Sequence, residues 1–196
     1  MPKLAVLLTE SYADWEAGLL TATARSYLDV EITVVTPGGN PVTSMGGLRV
    51  TPDGALEELK PEEFDGLAVI GGLIWEREDA PDIGPAVRAF RRNNKVVGGI
   101  CAGTLAIART GILRAIAHTS NSLAFLSRSE HYHGHSSYLD VPFAVRDGNI
   151  VTASGEAPIS FAREMLAALG VLTPEADGYI AQFAEEHCPA AYRKAS

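Results

Sequence analysis

Cys101 is the residue of this sequence best placed to do chemistry. It lies in Gly99-Ile100-Cys101-Ala102-Gly103, between an apolar run ending at Ile100 and a helical run beginning at Ala102. A Gly-x-Cys-x-Gly at such a junction is the thiol counterpart of a nucleophile elbow. The sharp turn crowds the backbone two residues to either side, where a side chain at Gly99 or Gly103 would clash. It also sets the sulfur at a helix N-terminus, whose dipole and free N–H groups favour thiolate. A buried structural cysteine is the competing reading, since free cysteine is among the most buried residue types. Position decides for function: the carboxyl end of a parallel strand is where open α/β sheets bind ligands.

Two other loci could serve the same sulfur. Leu67-Ala68-Val69-Ile70-Gly71-Gly72 ends the preceding apolar run. Its glycines are either a plain turn or a bare backbone that lets the Gly72 N–H join the Ala102 N–H in an oxyanion hole. Trp75 and Glu76 would then sit on the pocket rim. The first apolar run ends in Thr9-Glu10-Ser11-Tyr12-Ala13-Asp14-Trp15-Glu16. A carboxylate at the start of a helix is ordinarily a cap or dipole partner, which suits Asp14. Glu16, one turn further in, is the better candidate to lean over the sheet edge.

Glu130-His131-Tyr132-His133-Gly134-His135 is the other chemically suggestive stretch. Alternating histidines on a strand would face one way and could bind zinc or copper. The stretch reads instead as a loop with no clear second shell, so no metal and no cofactor are expected. Cys188, in Glu186-His187-Cys188-Pro189, reads as incidental.

The elements that must position these residues are legible from periodicity. Residues 3–8, 30–35, 66–70 and 96–100 are short runs rich in Val and Ile, as strands buried on both faces are. Between the first two, Trp15, Leu19, Ala22 and Ser26 recur at helical spacing. Between the last two, Ile83, Val87 and Phe90 do so, with Pro81 and Pro85 near the helix start. The alternation predicts a parallel sheet with helices on both sides. Residues 41–44 and 48–51 flank Met45-Gly46-Gly47 as a hairpin. Residues 143–146 and 150–152 flank Asp147-Gly148-Asn149 as a second antiparallel pair. Helices follow over 158–169, stopped by Gly170, and over about 174–186, with Ile180 and Phe183 turned inward. Residues 126–137 fit no element cleanly.

Composition narrows the function. The chain has 196 residues, 46% hydrophobic and 20% charged, and suits a single domain over 1–196. Net charge is −8, and the densest basic stretch (Arg88, Arg91, Arg92, Lys95) reads as a solvated helix face. Nucleic-acid binding is therefore not expected. No apolar run is long enough to span a bilayer, and the one at the N-terminus is too short for a signal peptide. Cys101 and Cys188 make neither a disulfide framework nor a zinc spacing, which suits a reducing compartment, the cytoplasm.

Taken together, Asp14-Trp15-Glu16, Ile70-Gly71-Gly72, the elbow through Thr104, and Val151-Thr152-Ala153-Ser154-Gly155-Glu156-Ala157-Pro158 resemble the ThiJ/PfpI superfamily, relatives of the class I glutamine amidotransferases. The resemblance runs from Lys3 to about Val171. It implies a flavodoxin-like three-layer α/β/α sandwich with a mainly parallel sheet, usually a homodimer. It also implies a cysteine nucleophile, Cys101, sharing a proton with a buried carboxylate, which is Glu16 by position with Asp14 as the fallback. Peptidase-like members carry His directly after the nucleophile, where this chain has Ala102. Amidotransferases use a later His-x-Glu, which does not occur here. Glyoxalase-like and deglycase-like members add a downstream His, for which His118 in Ile116-Ala117-His118-Thr119-Ser120-Asn121 is the nearest candidate.

Two function classes follow. One is an enzyme, a hydrolase or lyase, in which Cys101 attacks a small-molecule carbonyl or acyl substrate: hydration of an α-oxoaldehyde, deglycation, or hydrolysis of a small amide. The other is a non-enzymatic oxidative-stress sensor that works by oxidation of Cys101.

Overall fold

The computed structural model describes residues 1–186. In chain order its first half holds β1 (Lys3–Leu7), α1 (Asp14–Tyr27), β2 (Glu31–Thr36), the hairpin strands β3 (Val42–Thr43) and β4 (Arg49–Val50), β5 (Gly54–Ala55), β6 (Gly66–Val69), α2 (Gly84–Arg92) and β7 (Val96–Ile100). Its second half holds α3 (Ala102–Ala108), α4 (Leu123–Leu126), β8 (Val145–Asp147), β9 (Ile150–Ala153), α5 (Pro158–Ala168) and α6 (Pro174–Glu186).

Strand sequence dictates the layers. Leu4 and Val6 of β1 project into one core, and Ala5 and Leu7 into the other, because side chains alternate along a strand. The first core is filled by α1 and α5, the second by α2, α3 and Trp75. The seven-stranded sheet runs β5-β2-β1-β6-β7-β9-β8, with only β8 antiparallel to its neighbour. This is the α/β/α sandwich with a mainly parallel sheet that the alternation requires. From β1 the chain goes first to β2 on one side, then to β6 on the other. That reversal places a crevice at the carboxyl ends of β1 and β6, where doubly wound sheets bind ligands.

Three details differ from the sequence reading. The buried stripe of α1 is Glu16, Leu20, Thr23 and Ala24, not the stripe through Trp15. Trp15 is turned outward by a hydrogen bond from its indole N–H to the Gly155 carbonyl, 3.1 Å. Phe183 stays 38% exposed, packed edge-on against Tyr179 rather than inserted in the core. Residues 123–126 form a single helical turn, capped where the Ser122 hydroxyl accepts the Phe125 N–H at 3.0 Å. So short a turn leaves no periodic signal. Cys188 lies outside the described residues.

Candidate active site

Cys101 is held at φ 54°, ψ −128°, a conformation that costs a non-glycine residue on the order of 1–3 kcal/mol. Its surroundings over-determine it. The Cys101 N–H donates to the Ala153 carbonyl at 3.0 Å, continuing the β7–β9 ladder into the turn. The Cys101 carbonyl accepts the Thr104 N–H at 3.1 Å and the Thr104 hydroxyl at 2.5 Å. With that proton committed, Ser120 must be the donor in its 2.6 Å contact with Thr104 Oγ1. The crowding expected across the elbow is present: a Cβ on Gly99 would lie 3.2 Å from the Gly103 carbonyl oxygen.

Glu16 opens the buried stripe of α1, and this is why it points at the sheet end rather than at water. It is wholly buried. Its Oε2 accepts the Gly71 N–H at 2.7 Å, while Oε1 meets no N–H or O–H donor and faces the Cys101 thiol. Two glycines make room for the pair. A Cβ on Gly71 would collide with Glu16 Oε2 and lie 2.8 Å from Cys101 Cβ; one on Gly155 would lie 2.8 Å from the sulfur and 3.3 Å from Oε1. Glu16 Oε1 and Cys101 Sγ therefore flank one small space.

The electrostatics reverse part of the expectation. α3 is only seven residues long, and burial outweighs its dipole. Burial pushes the Cys101 thiol up to about 11, the negative charge of Glu16 adds to the rise, and the Asn121 side chain and Ala102 N–H offset it in part. Burial likewise pushes Glu16 up to about 7, against the opposing Gly71 N–H. Groups this close titrate as a pair. Between about pH 7 and 11 the pair holds one proton, and the sulfur is a nucleophile when that proton sits on Oε1.

The other expected site residues are distributed as follows. Asp14 is not at the sulfur: its Oδ2 accepts the Gly46 N–H at 2.8 Å and ties the β3–β4 hairpin to α1. His118 is not at the sulfur either. It is fully buried, its Nδ1–H donating to the Ile116 carbonyl at 2.6 Å and its Nε2 accepting from Tyr132 at 2.7 Å. Trp75 is a core residue with no exposure, not a rim residue, because its indole N–H reaches back to the Ile70 carbonyl at 2.8 Å. Glu76 pairs with Arg128 at 2.7 Å. Gly71 gives its N–H to Glu16, so it is no oxyanion donor. Gly72 is extended (φ −174°) and lacks a side chain because a Cβ there would lie 2.9 Å from Thr9 Oγ1. Ala102 N–H is directed at the sulfur.

Sequence reasoning missed Asn121, Gly155 and the outward Trp15. Asn121 donates from Nδ2 to the sulfur at 3.3 Å and accepts the Gly155 N–H at Oδ1, 2.9 Å. It lies three residues past His118 and takes the place expected for that histidine. Gly155 could have been found as the residue just beyond a parallel strand, but only β9's antiparallel pairing with β8 was legible. A hollow of about 600 Å³ opens above Cys101, lined by Trp15, Asn121, Ser154, Gly155, Glu156 and Pro158. A larger one, about 930 Å³, lies at the opposite end of α3 between Arg88, Arg109, Arg128, His131 and His133. His131, His133 and His135 are exposed. Among the described residues, no three His, Cys, Asp or Glu side chains converge as a metal site would require.

A sequence profile of the DJ-1/PfpI family matches residues 2–168. The crystal structure of a DJ-1 superfamily protein from Agrobacterium tumefaciens superposes with a TM-score of 0.94 at 49% identity, covering 96% of this chain and 100% of that one. A Bacillus subtilis (strain 168) protein named as an uncharacterised protease is 34% identical over 181 residues, 88% of this chain and 86% of that one. A protein from Caenorhabditis elegans named as a glutathione-independent glyoxalase is 27% identical over 118 residues, 59% of this chain and 60% of that one.

Proposed function

The chain belongs to the DJ-1/PfpI family, and from that premise we propose that it is a cysteine-dependent enzyme acting on a small carbonyl or acyl compound. One observation carries the reading: the buried Oε1 of Glu16, which accepts from no N–H or O–H group, faces a partly exposed sulfur at the floor of a pocket. An unsatisfied buried carboxylate oxygen is costly and calls for a functional reason. Here it is the seat of a transferable proton. The sulfur adds to the carbonyl carbon, a C–S bond forms, and the π electrons pass to oxygen. That oxygen takes the one proton of the pair, leaving a neutral hydroxyl and an ionised Glu16. Ala102 N–H, joined by Gly72 N–H, steadies the charge as it develops.

Proteolysis through a Cys–His pair is disfavoured, because Ala102 follows the nucleophile and His118 is committed to Tyr132. Glyoxalase-like or deglycase-like turnover, or hydrolysis of a small amide, fits better. The test incubates the protein with α-oxoaldehydes, glycated amines and small amides and follows products by NMR. Wild type should convert at least one, and Cys101→Ser none. Full turnover of every substrate by Cys101→Ser would exclude the reading. If wild type turns over nothing while graded peroxide adds oxygen selectively at Cys101 by intact mass, the sensor reading takes its place. A free working thiol suits a reducing compartment, the cytoplasm. No helix of the described residues is long and apolar enough to cross a membrane.

We further propose a homodimer. An apolar groove of about 400 Å³ runs between α1, β2 and β4, bordered by Leu48, which is 60% exposed. Leu48→Glu is expected to halve the mass measured by light scattering after gel filtration; an unchanged dimer would remove this face from the interface.

A further inference from the structure

We propose that the hollow above Cys101 selects carbonyl compounds that carry a positive charge and turns away carboxylates and phosphates, with Glu156 and Trp15 as the specificity-determining residues. The proposal rests on Cys101 being the nucleophile. None of the residues lining the hollow is basic, and Glu156 is an exposed carboxylate on its wall. Beneath lies the Cys101–Glu16 pair, which carries one negative charge once it has lost its first proton.

Two polar side chains on the wall, Asn121 and Trp15, are already engaged. The Asn121 amide donates to the sulfur, and its oxygen accepts the Gly155 N–H. The Trp15 N–H donates to the Gly155 carbonyl, so the indole turns no donor toward a ligand. What Trp15 offers is a half-exposed ring (54%) fixed beside a carboxylate, a surface that attracts ammonium and guanidinium groups. The amino-terminal dipole ends of α1 and α3 fall on Glu16 and Cys101, which bear the negative charge already. On the adjoining α5, Arg163 is held by Asp177 at 2.7 Å and by Glu164 at 2.9 Å, so its charge is compensated. A cationic substrate thus meets two negative groups and an aromatic face, whereas an anionic one meets two like charges and no cationic side chain.

The test labels Cys101 with three methanethiosulfonates, bearing trimethylammonium, methyl or sulfonate ends, in a Cys188→Ser background. In each case the thiolate sulfur bonds to the reagent's sulfenyl sulfur and methanesulfinate leaves. Rates are divided by those for a small free thiol, which removes intrinsic reactivity. At low ionic strength the cationic reagent should outpace the anionic one by about tenfold, as two partly screened charges at this range require. Molar salt should compress the ratio, Glu156→Gln should reduce it several-fold, and Glu156→Lys should invert it. Equal normalised rates in wild type, or a ratio indifferent to Glu156→Lys, would overturn the proposal. No labelling of Cys101 by any reagent would instead defeat the nucleophile reading beneath it.

Discussion

Glu16→Gln will remove a fall in stability of on the order of 3 kcal/mol that the wild-type protein undergoes between about pH 4.5 and 7. The carboxyl titrates near 4.5 when exposed and at about 7 in the fold, because burial disfavours its charged form. In that window the native state binds more protons than the unfolded chain, so raising the pH favours unfolding. Glutamine is neutral throughout and keeps an oxygen to accept the Gly71 N–H. Urea midpoints at pH 5 and pH 8 give the comparison: the difference between variant and wild type should shift in the variant's favour at the higher pH. Parallel profiles would mean that Glu16 is not buried as described. The same substitution should merge the two titrations near 7 and 11 into one thiol titration below 11, since the charge that raises the thiol is gone. A pH profile of alkylation at Cys101 reads this directly.

Gly103→Ala should cost about 3 kcal/mol or more and disable the elbow with it. Its Cβ would collide with the Val69 carbonyl oxygen and lie 3.0 Å from the carbon that bears it. Both atoms are backbone at the end of β6, so no rotamer change relieves the contact. α3 would have to lift off the sheet, carrying Cys101 away from Glu16 and from the Ala153 carbonyl. Gly178 is the control: a Cβ there meets open space within α6, so Gly178→Ala should be neutral or stabilising by up to about 1 kcal/mol. Thermal melts of the two variants separate steric necessity from general sensitivity of glycines. Equal melting temperatures would refute the close packing at Gly103.

Much of this was written locally. Four short runs rich in Val, Ile and Leu define β1, β2, β6 and β7, of which β2 is left partly exposed, and glycine at positions 99 and 103 announces a turn too tight for side chains. Those signals depend on residues within a few positions of one another, which is why they survive without tertiary information. The α1 stripe was harder, because Trp15 and Glu16 each open a plausible helical face. Hydrophobicity alone favours burying the tryptophan.

What the sequence by itself determined is the elbow, its glycines, and its place at the end of a parallel strand. Tertiary structure decided the rest: that Glu16 and not Asp14 meets the sulfur, that Asn121 and not His118 stands beside it, and that Trp75 is core. The first two depend on contacts between distant segments, 85 positions in the case of Glu16 and Cys101, while Trp75 is turned inward by the nearby Ile70 carbonyl. Protonation was the least legible feature. The elbow motif argues for an acidic thiol, but burial and the neighbouring carboxylate raise it, and both arise only when the sheet closes around them.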